Sequence, residues 1–296
     1  MKNKLMLILT AACTLGVCTR PAVCIAAARD ALRLCADALL PSLFVFFVLS
    51  GLLLRLGFAH VLEKPLSPLF RRLFCVGGGG ASAVLLGFVS GYPVGTVTVK
   101  TLYQSGSISK AEAERLLAFC NNTGPLFVLG TVGSVLLGDA RSGAVLYAAH
   151  VLASLTVGVL FRFYKRQCSP RPYRTGVFYA ESFGAALSGS VQAAVKNILY
   201  VCGYTVLFAV VLALLPQSAM LSAVLELTSG CRAVCALALP LHSKLRLLSL
   251  VLGFGGICVH LQLAGILADT DLNTKTAVTG KALQAVLSYI YVCAVA

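Results

Sequence analysis

The sequence predicts an all-α membrane protein: a multi-pass helical bundle of about seven spans with two re-entrant hairpins of broken helix, arranged as inverted repeats. Three observations lead to this prediction. Hydrophobic residues make up 58% of the 296 residues and charged residues only 11%. The apolar residues form runs of membrane-crossing length, and several runs are interrupted by glycine, proline and polar residues. These interruptions recur in the same order in the two halves of the chain.

This composition excludes the soluble classes of protein. A soluble domain has about 45–50% apolar and about 25% charged residues, so this chain has too little polar surface to cover a water-soluble fold. The formal charge of +14 does not indicate nucleic-acid binding, because the cations are spread along loops between apolar runs, as membrane orientation requires. The 12 cysteines lie mostly within apolar runs, where cysteine packs as a small hydrophobic residue. A redox or metal pair at Cys231 and Cys235 is the alternative, but no second pair with ligand spacing accompanies it.

The first segment, 1–21, is predicted to be an N-terminal membrane helix and a candidate signal anchor. Its apolar run is short enough for a cleaved signal peptide, but no small-residue cleavage site follows, which favours an uncleaved helix that starts in the cytoplasm. Residues 22–40 carry a polar stripe at helical spacing, which is typical of a helix in the membrane interface. The run 41–58 is long enough to cross. Residues 60–72, with three cations and two prolines, are interpreted as a cytoplasmic elbow.

A dense group of glycines and a proline marks the first break in the apolar pattern. Residues 75–104 are too rich in these two residue types for one straight helix, so a re-entrant hairpin with its tip near Gly91–Pro93 is predicted. The residues 109–112 form a capping box, which starts a new helix. That helix is interrupted at 120–125, where two asparagines precede a Thr-Gly-Pro sequence. A further span is predicted at 142–163.

A basic linker separates the two halves. The segment 162–174 holds five cations and no acid, the strongest positive-inside signal in the chain, and places a linker at 167–180 in the cytoplasm. The chain is therefore divided into the N-terminal helix, repeat 1 at 22–166, the linker, and repeat 2 at 181–296.

The second half is predicted to repeat the order of the first. A weakly polar segment, 181–196, precedes a span at 197–215. A polar break at 226–230 follows, then a span interrupted at 253–256, and a last span at 277–296. With the N-terminus inside, the two hairpins open to opposite sides, so the halves are predicted to be inverted repeats. Lys244 and Arg246, at the start of the span at 245–267, would then lie outside, but the other loops outweigh them.

Broken helices in matching positions of inverted repeats indicate a solute site, because unwound segments expose amide and carbonyl groups and half-helix ends carry partial charges. The alternative is that the glycines only allow close helix packing. That alternative is weaker for Asn121 and Asn122, because glycine packing does not need two amide side chains. The predicted solute-binding residues are Ser90, Gly91, Tyr92, Asn121, Asn122, Thr123, Glu226, Thr228, Ser229, His260 and Gln262.

Glu226 is the most informative of these residues. It lies in an apolar stretch with no cation within four positions, and an acid inside a membrane is costly and usually functional. Its carboxylate is predicted to bind a solute hydroxyl or amine, a cation or a proton. The alternative is a glutamate close enough to the surface to reach water. His260 either bonds a polar solute or is a satisfied core residue. Lys100 either neutralises a buried carboxylate or reaches water, and His150 and the remaining two histidines are interpreted as structural, near loop ends.

Enzyme motifs were sought and none occurs in the sequence. There is no HExxH, no P-loop, no GxGxxG that opens a βαβ unit and no nucleophile elbow. We therefore predict a protein that is not an enzyme, with no metal site and no resident cofactor. A coupling ion, Na⁺ or H⁺, is left open.

Four motifs at the breaks resemble those of a known family. They are Gly91-Tyr92-Pro93-x-Gly95, the run from Ile108 to Phe127, Glu226-Leu227-Thr228-x-Gly230, and Gly253-Phe254-Gly255-Gly256 followed by His260 and Gln262. In these motifs the chain is similar to the YlbJ-type sporulation integral membrane proteins, which belong to the nucleoside-recognition (Gate) domain group related to concentrative nucleoside transporters. One difference is Ser229, where an asparagine is expected.

The resemblance implies a multi-pass protein of the bacterial cell membrane that takes part in spore cortex formation. Two hypotheses follow. The first is a transporter of a small polar solute, nucleoside-like or related to the envelope or spore, with alternating access between inverted repeats. The second is a membrane scaffold that recruits partners during spore envelope assembly. The expected partners are the lipid bilayer and the solute, with a homo-oligomer left open and no nucleic acid.

Overall fold

The computed structural model describes residues 2–165 and 182–295, and all regular secondary structure within these residues is helical. The linker predicted at 167–180 lies outside the described residues. In chain order the helices are α1 (Lys2–Thr19), α2 (Pro21–Leu34), the π-helix π1 (Cys35–Leu39), α3 (Leu40–Arg55), α4 (Phe58–Phe74), α5 (Gly80–Ser90), α6 (Val94–Gln104), α7 (Lys110–Leu117), the π-helix π2 (Leu126–Leu136), α8 (Ala140–Phe161), α9 (Phe183–Leu214), α10 (Ala219–Leu225), α11 (Leu227–Ala236), α12 (Leu241–Phe254), α13 (Gly256–Ile266) and α14 (Lys275–Val295).

The helices confirm the predicted class, an all-α multi-pass membrane protein. Helices α8, α9 and α14 are long and apolar enough to cross a membrane, as are α12 and α13 taken together. Helices α1 and α2 meet at 100°, and α3 and α4 at 77°. The described residues therefore hold four candidate spans, or up to six if each bent pair counts as one, where the sequence predicted about seven.

Two predicted boundaries are wrong. The elbow predicted at 60–72 is part of the helix α4, with Pro65 and Pro68 inside it. Each proline removes a backbone donor, but the buried rings of Phe70 and Phe74 anchor this helix in the core. The weakly polar segment, from residue 183 onward, and the following span form one helix of 32 residues, Phe183–Leu214, because small polar side chains weaken a helix without ending it.

The order of elements is the same in both halves. A hairpin of two short helices is followed by a broken helix and then by an uninterrupted one. These are α5–α6, α7 with π2, and α8 in the first half, and α10–α11, α12 with α13, and α14 in the second. Helix α8 packs against α14, and α3 against α9. The inverted relation between the halves stays a prediction.

The bases of the two hairpins lie at opposite ends of the broken span α12–α13. Near the base of α5–α6, Lys100 Nζ donates to the carbonyl of Ile266, 2.8 Å away at the end of α13. At the start of α12, Lys244 Nζ donates to the carbonyl of Cys235 at 2.7 Å, near the base of α10–α11. The 26 residues between these ends correspond to about 39 Å of helix.

Charged side chains fasten the loop before α14 to the first hairpin. Lys100 pairs with Asp269 at 2.6 Å, and that carboxylate is 62% exposed; Lys100 therefore neutralises a surface acid and not a buried one. Asp271 accepts from Lys110 at 2.8 Å and from Tyr103 at 2.6 Å. These two hydrogen bonds hold the pKa of Asp271 below its usual range.

A buried acid, Glu114, connects two further segments at this end of the first hairpin. Glu114, 0% exposed, accepts from Lys165 Nζ at 2.8 Å and from the Asn273 amide at 3.1 Å. The last described residue before the linker and the loop before α14 therefore lie together, at the base of the first hairpin.

Candidate functional site

The four helix breaks, which are the tips of the two hairpins and the interruptions of the two broken helices, meet at one place in the bundle. A Cβ on Gly91, at the tip of the first hairpin, would meet the Gly124 amide in the first broken helix at 2.7 Å. A Cβ on Gly255, in the second broken helix, would meet the Tyr92 hydroxyl at 2.7 Å, and one on Gly256 would meet Glu226 Cα at 3.3 Å. The tips of both hairpins thus touch the break of α12–α13, and the tip of the first hairpin also touches the break between α7 and π2.

A cavity of about 370 Å³ opens beside this meeting point. Its volume is within the usual range for a small-molecule site. Seven of the eleven predicted residues line it, namely Ser90, Gly91, Tyr92, Thr123, Glu226, Thr228 and Gln262. The other four, Asn121, Asn122, Ser229 and His260, do not.

Glu226 forms part of the cavity wall and caps a helix. Its backbone is extended and its carboxylate accepts from the amides of Thr228 at 2.9 Å and Ser229 at 2.7 Å, the first turn of α11. The positive end of that helix supplies partial charge where no cation is near in sequence. The side chain is only 5% exposed, so the interpretation as a glutamate that reaches water is wrong. A carboxylate has about four acceptor positions, and the two amides leave about half of them unused.

The tip of the first hairpin adds hydroxyl groups to the wall. Ser90 is 2% exposed and its hydroxyl lies 2.5 Å from that of Ser50 on α3. The Tyr92 hydroxyl is buried and has no hydrogen-bond partner among the described residues. From α13, the Gln262 amide donates to Cys258 Sγ at 3.4 Å. A group that fills the cavity would meet donors and acceptors with unused capacity.

Asn122 does not line the cavity, and both ends of its side-chain amide are hydrogen-bonded to other residues. Its Nδ2 donates to the Phe119 carbonyl at 2.7 Å, and its Oδ1 accepts from Gln284 of α14 at 3.0 Å. This side chain joins the first break to the last span. It matches the structural alternative, in which polar residues at the breaks serve packing.

The remaining predicted residues lie beside the cavity without lining it. Asn121 is buried with its Oδ1 unpartnered, and Ser229 contributes a backbone amide to Glu226. His260 packs against the Phe254 ring, with centroids 4.8 Å apart, and its Nε2 has no partner in the described chain.

Apolar side chains from the first half form much of the wall, and sequence reasoning missed them. They come from α2, π1, α3 and π2 and include Leu34, Leu39, Leu43, Phe46, Leu126 and Phe127. Three small polar residues were also missed, namely Thr131 and Ser134 of π2 and Thr205 of α9. The sequence offered only a weak signal for these three residues within long apolar runs. It is the spacing of Thr131 and Ser134, which would place both on one face of an α-helix.

A second buried polar cluster lies on α14 and was missed entirely. Lys281 is 2% exposed and Gln284 is not exposed at all. The Gln284 amide reaches the His150 carbonyl at 3.1 Å as well as Asn122. His150 is 1% exposed and accepts from the Thr123 amide at 3.3 Å, so it lies inside the bundle and not near a loop end. A lysine within a predicted span was the signal that the sequence offered.

In the part of the chain that the structure describes, no group of three or more His, Cys, Asp or Glu side chains is arranged to hold a metal ion. Cys231 and Cys235 are both free thiols, and Cys231 is buried.

The chain is similar over almost its whole length to a curated bacterial protein. The sporulation integral membrane protein YlbJ of Bacillus subtilis (strain 168) is 30% identical over 322 aligned residues, which cover 94% of this chain and 79% of the relative. No family model matches the chain, and no solved structure matches it.

Proposed function

This chain belongs to the YlbJ family of sporulation integral membrane proteins, and we propose that it transports a small solute across the membrane during sporulation. The cavity beside Glu226 is the solute site in this proposal. The resemblance of the breaks to the nucleoside-recognition (Gate) domain group supports a nucleoside-like solute.

The observation that carries the proposal is the convergence of four helix breaks on one cavity. Unwound backbone inside a membrane protein is tolerated where it is buried or lines a cavity. Helix packing alone explains some of the glycines: a Cβ on Gly253 would meet Ala285 backbone. It does not explain why both hairpin tips and a carboxylate surround the same space. Broken helices that face a site near the middle of a bundle are typical of transporters.

The charge of the cavity restricts the solute. Among the described residues that line it, Glu226 carries the only formal charge, and the rest are apolar or hydroxyl and amide groups. A carboxylate attracts amines and accepts from hydroxyls, but it repels phosphates and carboxylates. The apolar wall suits a ring or another apolar moiety. We therefore expect a neutral or cationic solute with hydroxyl or amine donors.

The proposed transport mechanism is alternating access, in which the cavity opens toward one end of the bundle at a time. The hairpins have their bases at opposite ends of α12–α13, as found above, and their tips meet at the cavity. Withdrawal of one tip would open the cavity toward one end while the other tip keeps it closed. Rocking of one repeat against the other about a fixed site is how inverted-repeat transporters work.

A matched pair of ligands tests the solute class. Purified full-length protein in detergent is heated with a neutral nucleoside or with its 5′-monophosphate, and Tm is recorded. We expect neutral nucleosides or amines to raise Tm in a concentration-dependent way, while the monophosphates leave it unchanged. Stabilisation by the monophosphates alone would contradict the charge argument. The compounds that bind are then followed as uptake into proteoliposomes, and binding without uptake would contradict transport.

One observation favours the alternative, a membrane scaffold. Asn122 and Glu226, the two strongest sequence predictions, both have structural partners: one joins the first helix break to α14 and the other caps α11. In a scaffold these bonds would be the whole role of the polar residues. A Glu226→Gln variant that folds and supports sporulation fully would favour this alternative.

A further inference from the structure

The buried ammonium of Lys281 is held by a backbone oxygen of the first helix break and by a side-chain oxygen of its own helix, α14. Its Nζ donates to the backbone carbonyl of Asn121 at 3.1 Å and to Gln284 Oε1 at 2.7 Å. It also lies 5.2 Å from the centroid of the Tyr92 ring. These contacts join α14 to the break after α7 and to the tip of the first hairpin.

No acid balances this charge within the described residues. None of their ion pairs includes Lys281. The titratable groups that face it from the neighbouring elements are Tyr92, Cys120, His150 and His260. A buried charge without a counter-charge is expensive unless oriented dipoles replace the water it has lost.

The groups around the ammonium are those that bind a small cation. Carbonyls of unwound backbone and the C-terminal ends of half-helices coordinate Na⁺ in transporters, because they carry partial negative charge. The Asn121 carbonyl follows the end of α7, the Gln284 amide oxygen adds a second ligand, and the face of an aromatic ring attracts cations as well.

Two residues that contact the ammonium carry a further oxygen that it does not use. Asn121 Oδ1 and Tyr92 Oη are each buried without a hydrogen-bond partner in the described chain. Unpartnered acceptors on the surrounding residues are expected for a site that can accept an ion in place of the side chain.

We propose that the Lys281 ammonium is a built-in cation that fills a cation site at the first helix break, so that Na⁺ does not bind there in the native protein. The cation site itself does not depend on what the protein carries. Its consequence, transport without sodium coupling at this site, rests on the proposed function.

Thermal unfolding of the full-length protein tests the proposal. Tm of the wild type is measured in NaCl, KCl and choline chloride at equal ionic strength. Tm of Lys281→Ala is measured in the same salts and with propylammonium chloride, which restores the missing ammonium group. Lys275→Ala, at the exposed first turn of α14, is the matched control.

The expected result is a wild-type Tm that is the same in sodium and in choline. Lys281→Ala should melt several degrees lower, and propylammonium or Na⁺ should recover part of that loss in a saturable way. Lys275→Ala should respond to neither. A sodium-specific rise of Tm that Glu226→Gln retains, and that therefore does not arise at the acidic cavity, would overturn the proposal, and this comparison decides even if Lys281→Ala does not fold. A folded Lys281→Ala that responds to no small cation would overturn it too. Neither outcome affects the solute cavity, and a failure of solute uptake would leave the cation site untouched.

Discussion

Two buried polar centres lie beside the meeting point of the helix breaks. The acidic centre is Glu226 with the amides that it caps, and it lines the cavity. The basic centre consists of Lys281, Gln284, His150 and Asn122, which bond to one another and to backbone carbonyls; it does not line the cavity. In the acidic centre, the Glu226 carboxylate lines the cavity and has unused acceptor positions. In the basic centre, the donors form hydrogen bonds that hold helices together.

The difference shows how a polar residue in a membrane protein should be interpreted. Asn122 and Glu226 looked alike in the sequence, as polar groups in apolar surroundings. Burial alone does not separate them either, since both are at most 5% exposed. They differ in their partners. The amide of Asn122 is hydrogen-bonded to Phe119 and Gln284, whereas the Glu226 carboxylate lines the cavity and has unused acceptor positions. Tertiary packing determines this difference.

The largest effect on stability is expected in the basic centre. Gln284→Leu would leave the ammonium of Lys281, the Asn122 side chain and the His150 carbonyl with fewer partners. Each buried group that loses a partner costs about 1–3 kcal/mol, so the three groups together should cost at least about 3 kcal/mol of unfolding free energy. Thermal or denaturant unfolding measures it. Thr279→Val, at an exposed position of the same helix, should change stability by a few tenths of a kcal/mol. If it destabilised the protein as much as Gln284→Leu, the loss could not be attributed to the buried hydrogen-bond network.

A smaller effect is expected where the two centres touch. Gly255 has φ +81°, and a Cβ there would meet the Tyr92 hydroxyl at 2.7 Å, so Gly255→Ala should cost about 2 kcal/mol. Gly203→Ala in α9, where nothing lies within 4 Å, should be neutral or stabilising by about 0.5–1 kcal/mol. If both substitutions had the same effect on Tm, the contact between the first hairpin and the second broken helix would not be important.

The capping role of the acidic centre is expected to be modest. Glu226 and Asp139 both accept from two backbone amides at the start of a helix, but Asp139 is not on the cavity. Glu226→Gln and Asp139→Asn each keep one acceptor oxygen, so each should cost about 1 kcal/mol. Unfolding experiments that gave a loss of several kcal/mol for Glu226→Gln alone would show that Glu226 is chiefly structural.

The smallest effect is expected at the surface. Because its pKa is lowered in the folded protein, Asp271 stabilises the fold above the ordinary pKa of about 3.9, and this contribution is lost as the pH falls through the folded-state pKa. Asp271→Asn should therefore lower Tm slightly at neutral pH and have no effect once the pH is below the folded-state pKa. High salt should mimic the substitution, because exposed ion pairs are screened. A difference that persisted in acid would contradict this account.

The sequence predicted the membrane class, the hairpin tip at Gly91–Pro93 and the break at Glu226, because glycine, proline and charge in an apolar run have few explanations. It did not predict that α4 is helical through two prolines, since the burial of Phe70 and Phe74 in the core, a tertiary effect, holds that helix. Lys281 and Gln284 were missed because a single apolar average hides two polar residues on one helix face. The apolar wall could not be predicted, because any apolar residue of a membrane helix faces lipid, protein or cavity with the same local signature.

The most direct test of the central claim is sporulation of an endospore former that lacks its own YlbJ and carries this chain as wild type, Glu226→Gln or Asp139→Asn. The measurement is the number of heat-resistant spores at matched membrane levels of the three proteins. If the cavity beside Glu226 binds the solute, Glu226→Gln loses complementation while Asp139→Asn keeps it. Full complementation by Glu226→Gln, or equal loss in both variants, would contradict the claim.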